Sequence, residues 1–587
     1  MALSYFAWDA SGNENNWTPN NINSTSSTTI TYDLMSDTPS LADEDTGNFA
    51  TLNPISPLAT STLQDGNLQM NSTSASWKHA YSTIALPSTG KWYFEFSQSS
   101  DNNNCSMGIA PVESLANGSN AYVTDAILTN TPNSSGTAAG GLAGSTVTWT
   151  GTYDISAGDT IACAVDMDNN KVWFRIGANW VDAGSGAGNP SAGTNPAVSG
   201  GINSSKTYHF TVSAYAESIY ANFGQRPFTY TPPTGYKKLN TYNLPDSSIT
   251  DGSNHFNPVL YTGTGATQSI TGVGFSPDLV WTKSRSVIDA QNLYDTVRGA
   301  TKRISSNSTG VEDTVSGVSS FDSDGFTLGS GASNGSGYTF VAWNWRGSDS
   351  TAVSNTDGTI TSTVSANPTS GFSVVTFTGN GLANQTVGHG LGATPAMVIQ
   401  KSRTSGTTGW DWLTYHKGLP TPSTDYVLLN STAAKATASG LWNHNATTLG
   451  YPTSYSTSNG SGENFVAYCF AEVEGFSKFG SYTSNGSTDG PFVYTGFRPA
   501  FVMVKIYDGT SNWVMKDYLR AGNYNPASGN LYSNLTNAED TVSTADIDLL
   551  SNGFKLKGTY AGTNSSGAYN YIYMAFAENP FKNSLAR

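Results

Sequence analysis

Apolar positions alternate with polar ones over short runs, and each run is bounded by Gly, Asn, Asp, Ser or Pro. That is the pattern of half-buried strands joined by tight turns. Gly90-Lys-Trp-Tyr-Phe-Glu-Phe96 reads this way. In Gly158–Phe174, two apolar runs flank Asp168-Asn-Asn170, a hairpin turn made of residues that tolerate positive φ. Asp324-Gly325 and Asn552-Gly553 mark further hairpins, while the stretch around Leu441-Trp442 has no such signal and predicts a remodelled one. Helical periodicity is scarce. Ile288 to Val297 allows a turn or two, and no long amphipathic segment exists.

One strand pattern recurs three times as Pro-x-x-Val-x-x-Lys: Pro277–Lys283, Pro395–Lys401 and Pro499–Lys505. Two landmarks follow each copy in the same order. The first is Asn307-Ser-Thr309, Asn430-Ser-Thr432 or Asn534-Leu-Thr536. The second is a small polar turn before an aromatic strand: Asn334–Gly337, Asn459–Gly462 and Asn564–Gly567 before Phe340–Trp345, Phe465–Phe470 and Tyr571–Phe576. The copies lie roughly a hundred residues apart, too far for a solenoid and right for small all-β units. The recurring Pro fits a strand entry, where no ladder donor is lost. The recurring Lys suits a structural salt bridge, and the Asn of each Asn-x-Thr suits an Asx-type turn.

Composition narrows the function classes. Only 12% of the 587 residues are charged, so the surface is built of Ser, Thr, Asn and Gly. The 14 Trp and 12% aromatic content supply ample core material. A net charge of −15 without a basic run argues against a nucleic-acid partner. Cys105, Cys163 and Cys469 form no CxxC and read as buried small hydrophobes, and the six His show no metal-ligand spacing. No cofactor or metal is expected. The start, Met1–Ala7, lacks the basic and apolar regions of a signal peptide, and no apolar run reaches membrane-spanning length. Synthesis in a cytoplasm without membrane insertion is the expectation.

Residues 49–230 resemble the SPRY domain, a β-sandwich of concanavalin-like topology. The Gly-Lys-Trp-Tyr-Phe-Glu strand, the Val165–Phe174 hairpin and the Asn222-Phe-Gly-Gln-Arg-Pro-Phe228 ending stand in that family's order. The resemblance implies a non-enzymatic binding sandwich. With Asn16-Trp-Thr-Pro-Asn-Asn21 ahead of it and Leu293–Lys302 in the first repeat, the chain is also similar to virion proteins of tailed bacteriophages. The expected layout is therefore all-β. An extended arm (1–48) leads into the sandwich (49–230) and a linker (231–255). Repeat one (256–347), a second linker (348–370), repeat two (371–474) and repeat three (475–587) follow, each repeat a separate sandwich-like domain. Repeat one is expected to swing slightly on its linker.

Candidate chemistry is sparse. Gly331-Ala-Ser333-Asn-Gly335 fits the nucleophile-elbow string but lies in a loop between strands rather than between strand and helix. Asp166-x-Asp168-x-Asn170 mimics half a calcium loop and lacks its later ligands. Acids such as Asp295, Glu472 and Asp517 cannot be paired for glycoside hydrolysis by spacing alone. Aromatic and amide-rich surfaces suit sugars. Trp281 is the candidate ligand-binding residue, because it points outward if Val280 points in. The resemblance implies a virion structural protein assembled in the host cytoplasm, foremost a tail fibre or spike subunit that binds a host glycan or receptor. Its partners would be other virion proteins and further copies of itself, a trimer by analogy with fibres. A capsid-attached head fibre or decoration protein, and a polysaccharide-degrading tail enzyme, are the alternatives.

Overall fold

The computed structural model describes residues 43–583, apart from 56–61, 73–75, 100–104, 113–124, 131–138, 143–144, 149–156, 405–409 and a few single positions. Most of the expected arm, residues 1–42, lies outside the described part. The chain divides into two compact units, Met1–Pro245 and Asp246–Arg587.

The first unit is a sandwich of two antiparallel sheets. One runs in the order Thr62–Gln64, Gln69–Asn71, Ser218–Asn222, Lys91–Gln98, Thr160–Asp166, Lys171–Ile176 and Asn179–Trp180, with Val198–Ser199 also pairing Lys171–Ile176. The other runs Trp77–Tyr81, Tyr208–Tyr215, Cys105–Pro111, Ile127–Asn130, Ala139–Leu142 and Ser145–Thr148. Phe94 of the first sheet stacks on Phe210 of the second with centroids 4.3 Å apart, which places the core between the sheets. The expected hairpin forms, with Asn170 at φ 55°.

The expected linker from 231 is instead part of this unit as far as Pro245. Tyr236 packs with Tyr93, Ala162, Ala164 and Trp173 on the outer face of the first sheet, together with Phe228 and Tyr230. Lys237 exchanges backbone bonds with Lys91 and Tyr93 at 2.9 and 3.0 Å. Glu95 anchors the crossing, accepting from the amides of Thr229 (2.7 Å) and Tyr230 (2.9 Å) and from the Tyr93 hydroxyl (2.8 Å). A sheet whose outer face carries Tyr93 and Trp173 needs that cover, and the aromatic tail provides it.

In the second unit the three repeats share one sheet plan. The first strand (Phe256–Thr262, Phe372–Thr378, Ser477–Thr483) pairs the aromatic strand (Thr339–Trp345, Asn464–Phe470, Asn570–Pro580). The aromatic strand pairs the Pro-x-x-Val-x-x-Lys strand (Leu279–Ser284, Met397–Ser402, Phe497–Ile506). A short strand follows (Asn292–Asp295, Leu413–His416, Val514–Asp517). Register is conserved: Leu279, Met397 and Phe501 face Trp345, Phe470 and Phe576. Pro277 and Pro395 precede their strands, while Pro499 sits in a bulge within its own. A smaller sheet backs each large one. Its hairpin is Val318–Asp322 with Gly325–Leu328 in repeat one and Ile547–Leu550 with Gly553–Leu556 in repeat three. In repeat two, Gln385–Gly388 pairs Thr448–Tyr451 and Trp442 fills the neighbouring core, the remodelling that the missing turn signal predicts. Asn292–Asp295 is a strand, not the turn of helix that the sequence allowed.

The repeats are not separate domains. Their large sheets pack inward on one core that draws on all three. Trp345, Phe470 and Phe576, the same register position in each, meet in a near-equilateral triangle with ring centroids 6.2, 5.9 and 5.8 Å apart. A pseudo-threefold axis therefore runs through this aromatic triangle. The expected second linker is also structured. Val353–Asn355 and Ser362–Asn367 extend the sheet of repeat two beyond Phe372–Thr378. Buried Asp278 of repeat one ties the crossing down, accepting from Ser365 Oγ (2.6 Å) and the Gly347 amide (2.8 Å). These bonds and the shared core leave repeat one no hinge on which to swing.

Candidate functional site

The recurring residues build the seams between repeats, and the pattern is cyclic. Lys283 of repeat one donates to the carbonyl of Thr536 in repeat three (3.1 Å). Lys401 of repeat two donates to Thr309 O in repeat one (2.9 Å), and Lys505 of repeat three to Thr432 O in repeat two (2.9 Å). Each ammonium also holds a carbonyl of its own repeat: Asp289, Trp410 and Ser511. The Lys is thus not the salt-bridge residue expected; it joins two backbone carbonyls across a seam. Burial pushes Lys283 and Lys401 down to about 8 and Lys505 to about 7, opposed in the first two by the charges of Asp289 and Asp411.

The Asn-x-Thr segment is the receiving half of the same lock. Its Asn accepts the amide of Gln291, Trp412 or Trp513 through Asn307, Asn430 and Asn534 respectively. Trp412 Nε1 then reaches Ser305 O in repeat one, and Trp513 Nε1 reaches Leu428 O in repeat two, both at 2.9 Å. In repeat one the equivalent position is Gln291. It accepts from Trp281 Nε1 at 2.8 Å and donates to Tyr532 O in repeat three.

Trp281 is therefore not a surface ligand-binding residue: it is 1% exposed. Its strand does alternate as expected. However, Val280 faces the small sheet and Trp281 faces the shared core, so neither side of the strand meets solvent.

Carboxylate–guanidinium chains add to two of the three seams. In repeat one, Asp295 and Glu312 hold Arg298, and Glu312 also takes both Nε and Nη2 of Arg403 from repeat two (2.8 and 3.0 Å). In repeat three, Asp517 and Glu539 hold Arg520, and Glu539 takes Arg285 Nε of repeat one (2.5 Å). Asp295 also accepts from the Tyr468 hydroxyl and Asp517 from Trp343 Nε1, each across a seam. The equivalent donor in repeat three is Met574, which has no proton to give. Facing it, repeat two carries His416 and Leu419 where the others have Asp and Arg, and His416 Nε2 bonds Tyr573 O (3.0 Å). Burial pushes His416 down to about 3, so a neutral imidazole donates there.

These locks absorb the acids that the sequence left unpaired. Asp295 and Asp517 belong to different seams, while Glu472 pairs Lys417 and Lys478. Ser333 is buried, and its Oγ bonds Thr282 Oγ1 (2.6 Å) and Asn292 Nδ2 (3.1 Å), with no base among these partners. Asp166 pairs Lys91 and caps Asn169, as a hairpin residue does. Among the described residues no group of three or more His, Cys, Asp or Glu is placed to hold a metal, and no helix is long and apolar enough to cross a membrane. Cys105, Cys163 and Cys469 are buried and none is in a disulfide.

One surface feature of the seams is concave. Between repeats three and one, Arg285, Thr339, Arg520, Ser528, Gly529, Glu539 and Thr541 line an open cleft of about 430 Å³. Sequence reasoning did not single out these residues, because they come together only when the ring closes.

The second unit is thus a closed ring of three interlocked all-β repeats in one chain. Residues 251–580 match the family described as "Domain of unknown function (DUF7483)", and the chain belongs to that family. No curated protein matches the chain. Among solved structures, the chain is similar to the SPRY domain of human HERC1 (14% identity, TM-score 0.20, covering 28% of this chain and 94% of that one). It is also similar to the PSpry domain of TRIM65 (10%, 0.22, 29% and 89%) and to a human SPRY domain (14%, 0.19, 28% and 96%). The sandwich of the first unit is defined by its own strand pairings.

Proposed function

We propose that this chain is a non-enzymatic virion protein of a tailed bacteriophage, a tail fibre or spike subunit that carries rigid β-bodies and binds the host surface. The observation that carries this reading is the use of its ionisable side chains. Asp295, Arg298, Glu312 and Arg403, then Asp517, Arg520, Glu539 and Arg285, fasten repeats to one another, each carboxylate held by a guanidinium instead of being poised as an acid or base. A body held by buried locks, with few charges left on its surface, suits a particle that meets changing salt, because exposed pairs are screened while buried ones are screened much less. Its partners are other virion proteins at the attachment end and a glycan or receptor at the other.

Antibody labelling of purified particles in the electron microscope tests this. Label at the tail is the expected result. Label on the capsid alone would replace the tail reading with a head fibre or decoration protein, and particles without label would remove both. Release of fragments from host surface polysaccharide by the purified chain would instead favour a tail enzyme.

A further inference from the structure

The three seams are homologous, so each is a reference for the others. Lys302 and Thr314 are cross-strand partners in repeat one, as are Asp425 and Thr437 in repeat two. Lys302 Nζ donates to Thr314 Oγ1, and Thr437 Oγ1 donates to Asp425 Oδ1, each at 2.8 Å. In both repeats a charged side chain engages the threonine hydroxyl. The corresponding positions in repeat three are Gly529 and Thr541, fixed by the bridges Met515–Leu531 and Asn530–Asp540. Gly529 has no side chain to engage Thr541, and the open cleft lies beside it.

The arginine that crosses the seam differs in the same way. Arg403 grips Glu312 with two nitrogens, whereas Arg285 grips Glu539 through Nε alone. The terminal nitrogens of Arg285 are left on a side chain that is 26% exposed in the cleft. Thr339, Ser528 and Thr541, each bearing a hydroxyl, also line the cleft. The lining cations, Arg285 and Arg520, outnumber the one acid, Glu539. A planar guanidinium with free N–H groups matches a carboxylate, and hydroxyl-bearing side chains match sugar hydroxyls. The volume lies within the roughly 300–1,000 Å³ of small-molecule sites.

We propose that the cleft between repeats three and one is a subsite for an acidic saccharide, a uronic-acid unit held by its carboxylate on Arg285 and by its hydroxyls on Thr339, Ser528 and Thr541. This names a ligand class for the surface-binding reading and rests on that reading only for its biological setting.

The test uses the intact chain titrated with sodium glucuronate and sodium galacturonate, followed by calorimetry and by tryptophan or NMR signals. Glucose, galactose and sodium acetate serve as controls. Saturable millimolar binding of a uronate is expected, with no binding of the neutral sugars and at least tenfold weaker binding of acetate. Thr541→Phe plugs the cleft at an exposed position and should abolish binding with the melting temperature retained. R285Q should abolish binding too, whereas R403Q, which breaks the homologous lock at another seam, should keep it. Acetate binding as tightly as the uronates would reduce the cleft to a simple anion site and overturn the saccharide assignment. No saturable uronate binding, or binding that survives both Thr541→Phe and R285Q, would overturn the proposal. Uronate binding by a chain absent from virions would leave the subsite standing and remove only the virion reading.

Discussion

Lys283, Lys401 and Lys505 each join carbonyls of two repeats, and they show what a buried cation contributes when its partners are dipoles rather than acids. Replacing Lys505 by Met removes the ammonium from the carbonyls of Thr432 and Ser511; Thr432 O keeps the Ser511 amide (3.1 Å), while Ser511 O loses its bond to Nζ. A loss of about 1–3 kcal/mol in urea denaturation at neutral pH is expected, the usual cost of a buried acceptor left unpaired. The same residues set a pH dependence. They titrate at about 7 to 8 in the folded chain, against roughly 10.4 when unfolded. Between those values the unfolded chain holds more protons, so stability rises with pH across this window and is lowest below it. Above about 10 the buried tyrosines oppose the trend: Tyr294 and Tyr571 are pushed up to about 12, so their ionisation favours the unfolded chain. The melting temperature should therefore climb from pH 7 to about 9.5, and less steeply in K505M. Trp281→Phe should cost about 1 kcal/mol through its bond to Gln291 and leave any ligand affinity unchanged.

At the scale of elements, each repeat meets the next through its Lys strand, its short strand and its Asn-x-Thr loop, and the chemistry of one seam is replaced as a set. His416 and Leu419 stand where the other repeats have Asp and Arg, while Lys435 and Tyr507 replace the Glu and Arg that bridge the other seams. Lys435 turns back to Asp425 at 3.1 Å, and its amide bonds Tyr507 O at 2.7 Å. The single substitution His416→Asp buries a carboxylate with no guanidinium and removes the imidazole bond to Tyr573 O, so a loss of about 3–5 kcal/mol is expected. Adding Leu419→Arg restores the Asp-x-x-Arg pair of the other repeats and should recover at least half of it. A double-mutant cycle measures this coupling, and strict additivity would contradict the set-wise account. Edge management differs as well. Pro258 removes a ladder donor from the outer strand of repeat one, while Val353–Asn355 and Ser362–Asn367 cover the same edge in repeat two.

At the scale of the molecule, the aromatic triangle of Trp345, Phe470 and Phe576 makes the repeats interdependent, because no repeat can bury its inner face alone. Calorimetry of the intact chain should show residues 246–587 melting in a single transition whose calorimetric and van't Hoff enthalpies agree. Three separable transitions would contradict a shared core. The ring closes without a covalent link between repeats three and one. That closure rests on Lys283 to Thr536, Arg285 to Glu539, Ser306 Oγ to Ser533 O and Trp343 to Asp517.

Sequence alone determined what depends on local pattern. Alternating runs and turn residues placed the strands, the hairpins at Asn170, Asp324 and Asn552, and the missing hairpin of repeat two, because side-chain direction and turn conformation follow from neighbours a few residues away. The recurrence of Lys with Asn-x-Thr was visible too, although its meaning was not. Spacing says that two motifs travel together, and only the ring shows that the Lys of one repeat meets the Thr carbonyl of another. Tertiary structure decided the rest: that Trp281 is buried on a strand covered on both faces, that residues 231–245 and 353–367 are structured, and that three repeats form one body. Each of these depends on surfaces far apart in the chain excluding water from one another, and alternation within a strand carries no record of what covers either face.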